Sequence, residues 1–175
     1  MTHALYLIYA FYGVLALVAL FNILYLNISH ILLAALILLT VAACWLFPST
    51  RILIIPNAAT AFGVLVIGLA AFALSGAAVG AGVIKLLVVL ALWYGPSTTL
   101  IFCIAVAIPV IIGLYVLGRS VINLFVRIVG TDRAPKGLSA MAVGKALPVG
   151  AALAIAAILT LHETAAYQIV MSQGA

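Results

Sequence analysis

Chemistry at neutral pH needs carboxylates, imidazoles, thiols or amines gathered in one place, and this sequence holds few of them. Its acidic residues are two, Asp132 and Glu163, beside three histidines (His3, His30, His162) and two cysteines (Cys44, Cys103). The histidines are scattered without ligand spacing, so no metal cluster is expected. Neither a Gly-x-Ser-x-Gly elbow nor a Cys–His pairing is visible, and Gly80 and Gly82 lack the Walker pattern that would make them a phosphate cradle. No cofactor is implied. His30 reads as an interfacial polar residue at a helix start, and the cysteines, both inside apolar runs, read as unpaired core thiols. Lys85 lies just inside an apolar run. It is expected to snorkel to the headgroups and anchor to anionic lipid, or to bind an acidic group of a partner.

The surroundings of these residues are apolar to an extent that fixes the class of protein. Hydrophobic residues make up 69% of the chain and charged residues 5%, whereas about 25% of a soluble domain's residues are charged because its surface faces water. The apolar runs are continuous and do not alternate, which argues for helices and against a β-barrel. With roughly 20 apolar residues per span, the chain reads as an all-α polytopic membrane bundle of about six helices. They fall near Leu5–Tyr25, His30–Phe47, Pro56–Leu74, Ala78–Trp93, Thr98–Leu117 and Ala146–Leu161, in a single membrane domain covering residues 1–175. No cleaved signal peptide is expected, because a basic n-region and a small-residue cleavage site are both missing. The long connection, 118–145, opens with Val121, Leu124, Phe125 and Ile128 at helical spacing, the pattern of an interfacial amphipathic helix. It continues into a turn at Gly130–Gly137.

Lysine and arginine are distributed unevenly about this scheme. Six spans place 118–145 on the same side as the turns at 26–29 and 75–82. That side then carries Arg119, Arg127, Arg133, Lys136 and Lys145, with Lys85 nearby, and the other side carries Arg51 alone. The positive-inside rule puts 118–145 in the cytoplasm and both termini outside. Most of the net charge of +5 is accounted for by this loop. Aromatic-interleaved basic patches are absent, so no nucleic-acid partner is expected. Arg119, Arg127 and Lys136 are candidates for lipid or partner contact.

One stretch is more specific. Gly80-Ala81-Gly82-Val83-Ile84-Lys85-Leu86-Leu87, followed by Ala91-Leu92-Trp93-Tyr94-Gly95-Pro96, resembles the second motif of the type IV prepilin peptidases, most closely their small form from Tad/Flp pilus systems. Members of that family are intramembrane aspartic peptidases that cut the leader from prepilins. The motif there reads G-x-G-D-x-K-L-L before L-W-x-G-P; here Val83 stands in the aspartate position. The family's first motif is an aspartate followed by Ile-Pro-Asn. Two registers compete for it. Ile55-Pro56-Asn57 is a literal match that puts Ser49 at the aspartate position, and Ile28-Ser29-His30 is a degenerate match that puts Asn22 there. A dyad needs two carboxylates close enough to share a proton. Ser49 and Val83 fall at opposite faces, roughly 30 Å apart, whereas Asn22 and Val83 fall at the same one, so the Asn22 register is preferred. Ile55-Pro56-Asn57 is then read as a coincidence, since proline suits a helix start. Ala146-Leu147-Pro148-Val149-Gly150, opening the last helix, resembles the family's P-Y-G-V-A-I-A, and the resemblance spans about residues 5–162.

What the resemblance implies is a bacterial inner-membrane protein of prepilin-peptidase-like fold without the aspartate dyad. Neither Asn22 nor Val83 exchanges a proton at neutral pH, and neither Asp132 nor Glu163 reaches them in this topology, so the family's hydrolysis lacks its general base and endopeptidase activity is not expected. The leading reading is a pseudoenzyme that keeps the scaffold and binds a prepilin or a pilus-assembly protein, with Gly80, Gly82, Lys85, Ser29 and His30 as motif positions. The alternatives are a small structural or accessory subunit of a membrane complex or transporter unrelated to prepilins, and an active-site-substituted form of the peptidase. Membrane lipids are partners in every case, and homo- or hetero-oligomers are compatible with each.

Overall fold

A computed structural model describes residues 2–74, 80–129 and 148–174. The elements are α1 (Thr2–Tyr25), α2 (His30–Leu46), a 3-10 helix (Pro48–Leu53), α3 (Ile54–Leu74), α4 (Ala81–Tyr94), α5 (Thr98–Val129), α6 (Val149–Thr160), a second 3-10 turn (Leu161–Glu163) and α7 (Ala165–Gly174). Among the described residues there is no strand. The segments His3–Tyr25 and Pro48–Leu74 are each long and apolar enough to cross a membrane, and a third span results if α6 and α7, bent by 52°, count as one.

Helix α1 shows why periodicity is faint in this sequence. Ala4, Leu7, Phe11, Leu15, Val18 and Asn22 are buried at three- and four-residue intervals, yet the opposite face carries exposed Tyr6, Tyr9, Leu17 and Leu20. Both faces are apolar because one meets protein and the other meets lipid, so the polar stripe that marks a soluble helix is missing. Helix α6 is the reverse case. Gly150, Ala151, Ala152, Ala154, Ala156 and Ala157 are all buried, and small side chains on every side let α1, α4 and α5 close around it.

Helix α4 buries Ile84, Leu86, Val89, Leu90, Ala91, Trp93 and Tyr94. Its 14 residues amount to roughly 20 Å, short of the ~30 Å hydrocarbon core. Helix α3 covers it antiparallel: Asn57 meets the last turn of α4, and Gly68 meets its first, where a methyl group would lie 2.5 Å from Ile84 Cγ2. Helix α1 also runs antiparallel to α4, with the Phe11 and Trp93 rings 4.5 Å apart.

Several boundaries depart from the sequence reading. The amphipathic stretch from Arg119 to Arg127 is continuous with the fifth helix, which runs unbroken from Thr98 to Val129 across Pro109. At 32 residues it is about 48 Å long, well beyond the thickness of the hydrocarbon. Helix α4 begins at Ala81 and α6 at Val149; Ala78 and Ala146, the starts read from sequence, lie outside the described residues. Pro48–Leu53 is helical and leads directly into α3, which begins at Ile54 rather than at Pro56. Helix α7 was not expected. It starts after Thr164, a buried residue in extended conformation whose Oγ accepts from Tyr167 N–H (3.2 Å) as a side-chain cap.

Candidate functional site

Three segments far apart in sequence meet at one end of the bundle: the end of α1 with its link to α2, the start of α4, and the start of α6. Helix α1 stops at Leu26, whose φ of 53° is left-handed. Glycine is the usual residue for such a stop. The reversal swings Asn27, Ile28 and Ser29 across the end of the bundle. Ile28, only 4% exposed, becomes a plug between two glycines: a methyl group on Gly82 would lie 3.4 Å from Ile28 Cβ, and one on Gly150 would lie 2.7 Å from Ile28 Cδ1. Gly150 is therefore a site of close backbone approach, whereas Gly82 is in ordinary contact range of Ile28.

Asn22 closes the arrangement. It is buried, and its Oδ1 accepts a hydrogen bond from Ala151 N–H at 2.9 Å, between residues 129 apart in sequence. Ala151 lies in the first turn of α6, where backbone N–H groups have no partner within the helix. The residue before α6 is Pro148, which makes no side-chain cap, so the cap comes from α1 instead. A methyl group on Gly150 would lie 3.0 Å from Asn22 Cγ, so the same glycine that admits Ile28 also admits the asparagine. Asn22→Ala should destabilise the protein by about 1–3 kcal/mol, because it leaves a buried N–H unpaired. Asn22→Asp keeps the acceptor and sets its charge at the positive end of α6, and should stay closer to wild type than the alanine variant. Thermal unfolding in detergent checks this; an alanine variant as stable as wild type would show that the bond carries nothing.

The other candidates sort by position. Val83 stands in the first turn of α4, half-buried against the apolar core, and Gly80 is the residue preceding that helix. Ser29 is half-buried at the start of α2, while His30 and Lys85 are exposed. Phe21, Tyr25, Asn27, Ile28, Ser29, His30 and Ile31 line a shallow depression on the outer surface of this end. Ser49 is elsewhere. Its Oγ accepts from Gln173 of α7, near the end where α4 finishes, so it lies roughly the 20 Å length of α4 from Val83. Arg119 and Arg127 fall on the far half of α5; Asp132, Arg133, Lys136 and Lys145 lie outside the described residues.

At that far end the structure gives Asn57 a role that the sequence reading had put down to coincidence. Asn57 is buried, and its Nδ2 donates to Leu92 O at 2.8 Å and Trp93 O at 3.4 Å, satisfying carbonyls that α4 leaves without partners as it ends. Beside it, Trp93 Nε1 donates to Thr164 Oγ (3.1 Å) and Tyr94 OH to Ala157 O (2.9 Å), with Thr160 Oγ at 2.8 Å. This group ties α4 to α6 and α7. The available signal was the Trp-Tyr pair closing a Leu-rich helix, since buried indole and phenol groups need partners. Cys44 and Cys103 are free thiols, the first half-buried and the second buried. His162 and Glu163 pair at 3.0 Å on the surface. Among the described residues no group of His, Cys, Asp and Glu could hold a metal ion. Compared with protein-family models, with curated protein sequences and with solved structures, the chain matches none.

Proposed function

We propose that this chain is a non-catalytic relative of the prepilin leader peptidases: a bundle of about six spans in a bacterial inner membrane, with 118–145 cytoplasmic, that binds a prepilin or pilus-assembly helix without cutting it. The observation that carries this reading is Asn22. At the position the resemblance assigns to the first aspartate, the side chain is buried and committed to holding the start of α6. Val83, at the second, packs against apolar neighbours. Both positions serve the scaffold, and neither presents an acid–base group to a substrate. The convergence of the three family-like segments around Ile28 supports a retained scaffold, and the depression beside His30, with Lys85 exposed on the first turns of α4, supports a partner docking there. Short α4, and α2 with its 17 residues, would then be spans set in locally thinned bilayer or tilted against their neighbours.

The test is site-specific photo-crosslinking in native membranes from positions 30 and 85. A small protein with a single apolar helix captured from both positions, and not from an exposed α3 position such as Ile67, is the expected result. Capture only of unrelated transporter or enzyme subunits would favour the accessory-subunit reading and overturn this one.

A further inference from the structure

The opposite end of the bundle carries a feature that the reading above does not use. An apolar cavity of about 260 Å³ opens between α2, α3 and α4, walled chiefly by Ile37, Val41, Leu53, Ile54, Leu92 and Trp93. The polar residues that reach it are bonded within the chain: Thr40 to Leu36 O, Thr50 to Phe47 O and Asn57 to Leu92 O. A half-open groove lined this way offers no free polar partner to water. The guest it selects is an apolar chain.

Arg51 stands beside the cavity. Its Nε–H donates to Cys44 O at 3.1 Å, and Cys44 and Thr50 both line the cavity, so the exposed guanidinium is tied to a residue of the lining. Among the described residues Arg51 makes no ion pair. The chain has two side-chain carboxylates, of which Asp132 lies outside the described residues and Glu163 meets His162 at 3.0 Å. Trp45, 79% exposed, stands next to Cys44 at the end of α2, where an indole suits the headgroup layer. An exposed cation tied to the lining of an apolar cavity is complementary to a molecule with an anionic head and a hydrocarbon tail. We propose that this site holds one anionic phospholipid, its phosphate on Arg51 and one acyl chain in the cavity between α2, α3 and α4.

Trp93 reports on occupancy, because it lines the cavity and is one of only two tryptophans. The experiment uses the full chain with Trp45→Phe, reconstituted in phosphatidylcholine vesicles containing phosphatidylglycerol brominated on its acyl chains. Trp93 fluorescence should be quenched to saturation at a low mole fraction of the brominated anionic lipid. Brominated phosphatidylcholine should need a higher fraction. Arg51→Gln should raise the half-saturating fraction about fivefold, the worth of one cation beside an anionic headgroup, and Arg51→Lys should recover part of it. Ala58→Phe, which fills the cavity, should abolish the saturable phase. Arg51 is exposed, so its variants test the headgroup contact whether or not Ala58→Phe folds. Quenching that rises linearly with mole fraction, equally for both lipids and regardless of Arg51, would overturn the proposal.

Discussion

Incubated with a prepilin in detergent, the wild-type chain is expected to release no leader peptide. General acid–base catalysis contributes about 10²–10⁴-fold per positioned group, and neither Asn22 nor Val83 supplies one. Asn22→Asp and Val83→Asp introduced together are expected to be necessary for any release, though Ser29 and His30 also depart from the family's Pro and Asn. Each single variant should remain inactive, because an aspartic mechanism divides acid and base between two carboxylates. Val83→Asp alone carries a further cost of up to about 2.5–3.5 kcal/mol if the charge sits deep in the bilayer. Resolving the leader by mass reads the outcome. Release by wild type would defeat the non-catalytic reading directly.

The largest effect on stability is expected at Gly95. Its φ of 64° and ψ of −163° lie in a region that is essentially glycine's alone, and a side chain held there costs of order 1–3 kcal/mol. Sterics add to this. A methyl group on Gly95 would fall on Asn57 Oδ1 and 2.9 Å from its Cγ, so alanine must displace Asn57 from Leu92 O. Losing that bond leaves buried polar groups unpaired, at about 1–3 kcal/mol. Together the two effects reach about 2–6 kcal/mol, out of a typical total of 5–15 kcal/mol. Gly13→Ala is the control: nothing lies within 4 Å of the added methyl, and in a helix alanine is the better residue by roughly 0.5–1 kcal/mol. Thermal unfolding in detergent should place the two variants on opposite sides of wild type. A Gly95→Ala protein that melts with wild type would mean that Asn57 does not hold the end of α4.

Membrane character was legible in the sequence because it follows from a quantity no packing can change, the shortage of charge. The helices were legible for the same reason, since backbone groups in lipid have to be satisfied within each segment. The parts that could not be read depend on tertiary partners. Asn22 stood out only through a family register, and nothing local says that its acceptor is Ala151 N–H, 129 residues away. Ile28 entered only as part of the degenerate Ile28-Ser29-His30 match, and nothing local says that the left-handed Leu26 aims it at Gly82 and Gly150. Asn57 was set aside because Pro56 explained the local pattern; its partners at the end of α4 are 35 and 36 residues on. Helix α7 lies beyond the last strongly apolar run, where only Thr164 and the buried Val170 mark a capped, half-apolar helix.

The meeting of the α1–α2 link with the starts of α4 and α6 can be tested by one covalent measurement. In a chain with Cys44→Ser and Cys103→Ala, the pair Ile28→Cys and Gly82→Cys should crosslink under mild oxidation. The 3.4 Å from Ile28 Cβ to the Cβ position of residue 82 sits at the short edge of the disulfide range of about 3.5–4.5 Å. The account predicts near-complete intramolecular disulfide in membranes, with loss of both free thiols, and none for the control pair Ser49→Cys and Gly82→Cys. Free thiols in the first pair, or a disulfide in the control, would contradict it.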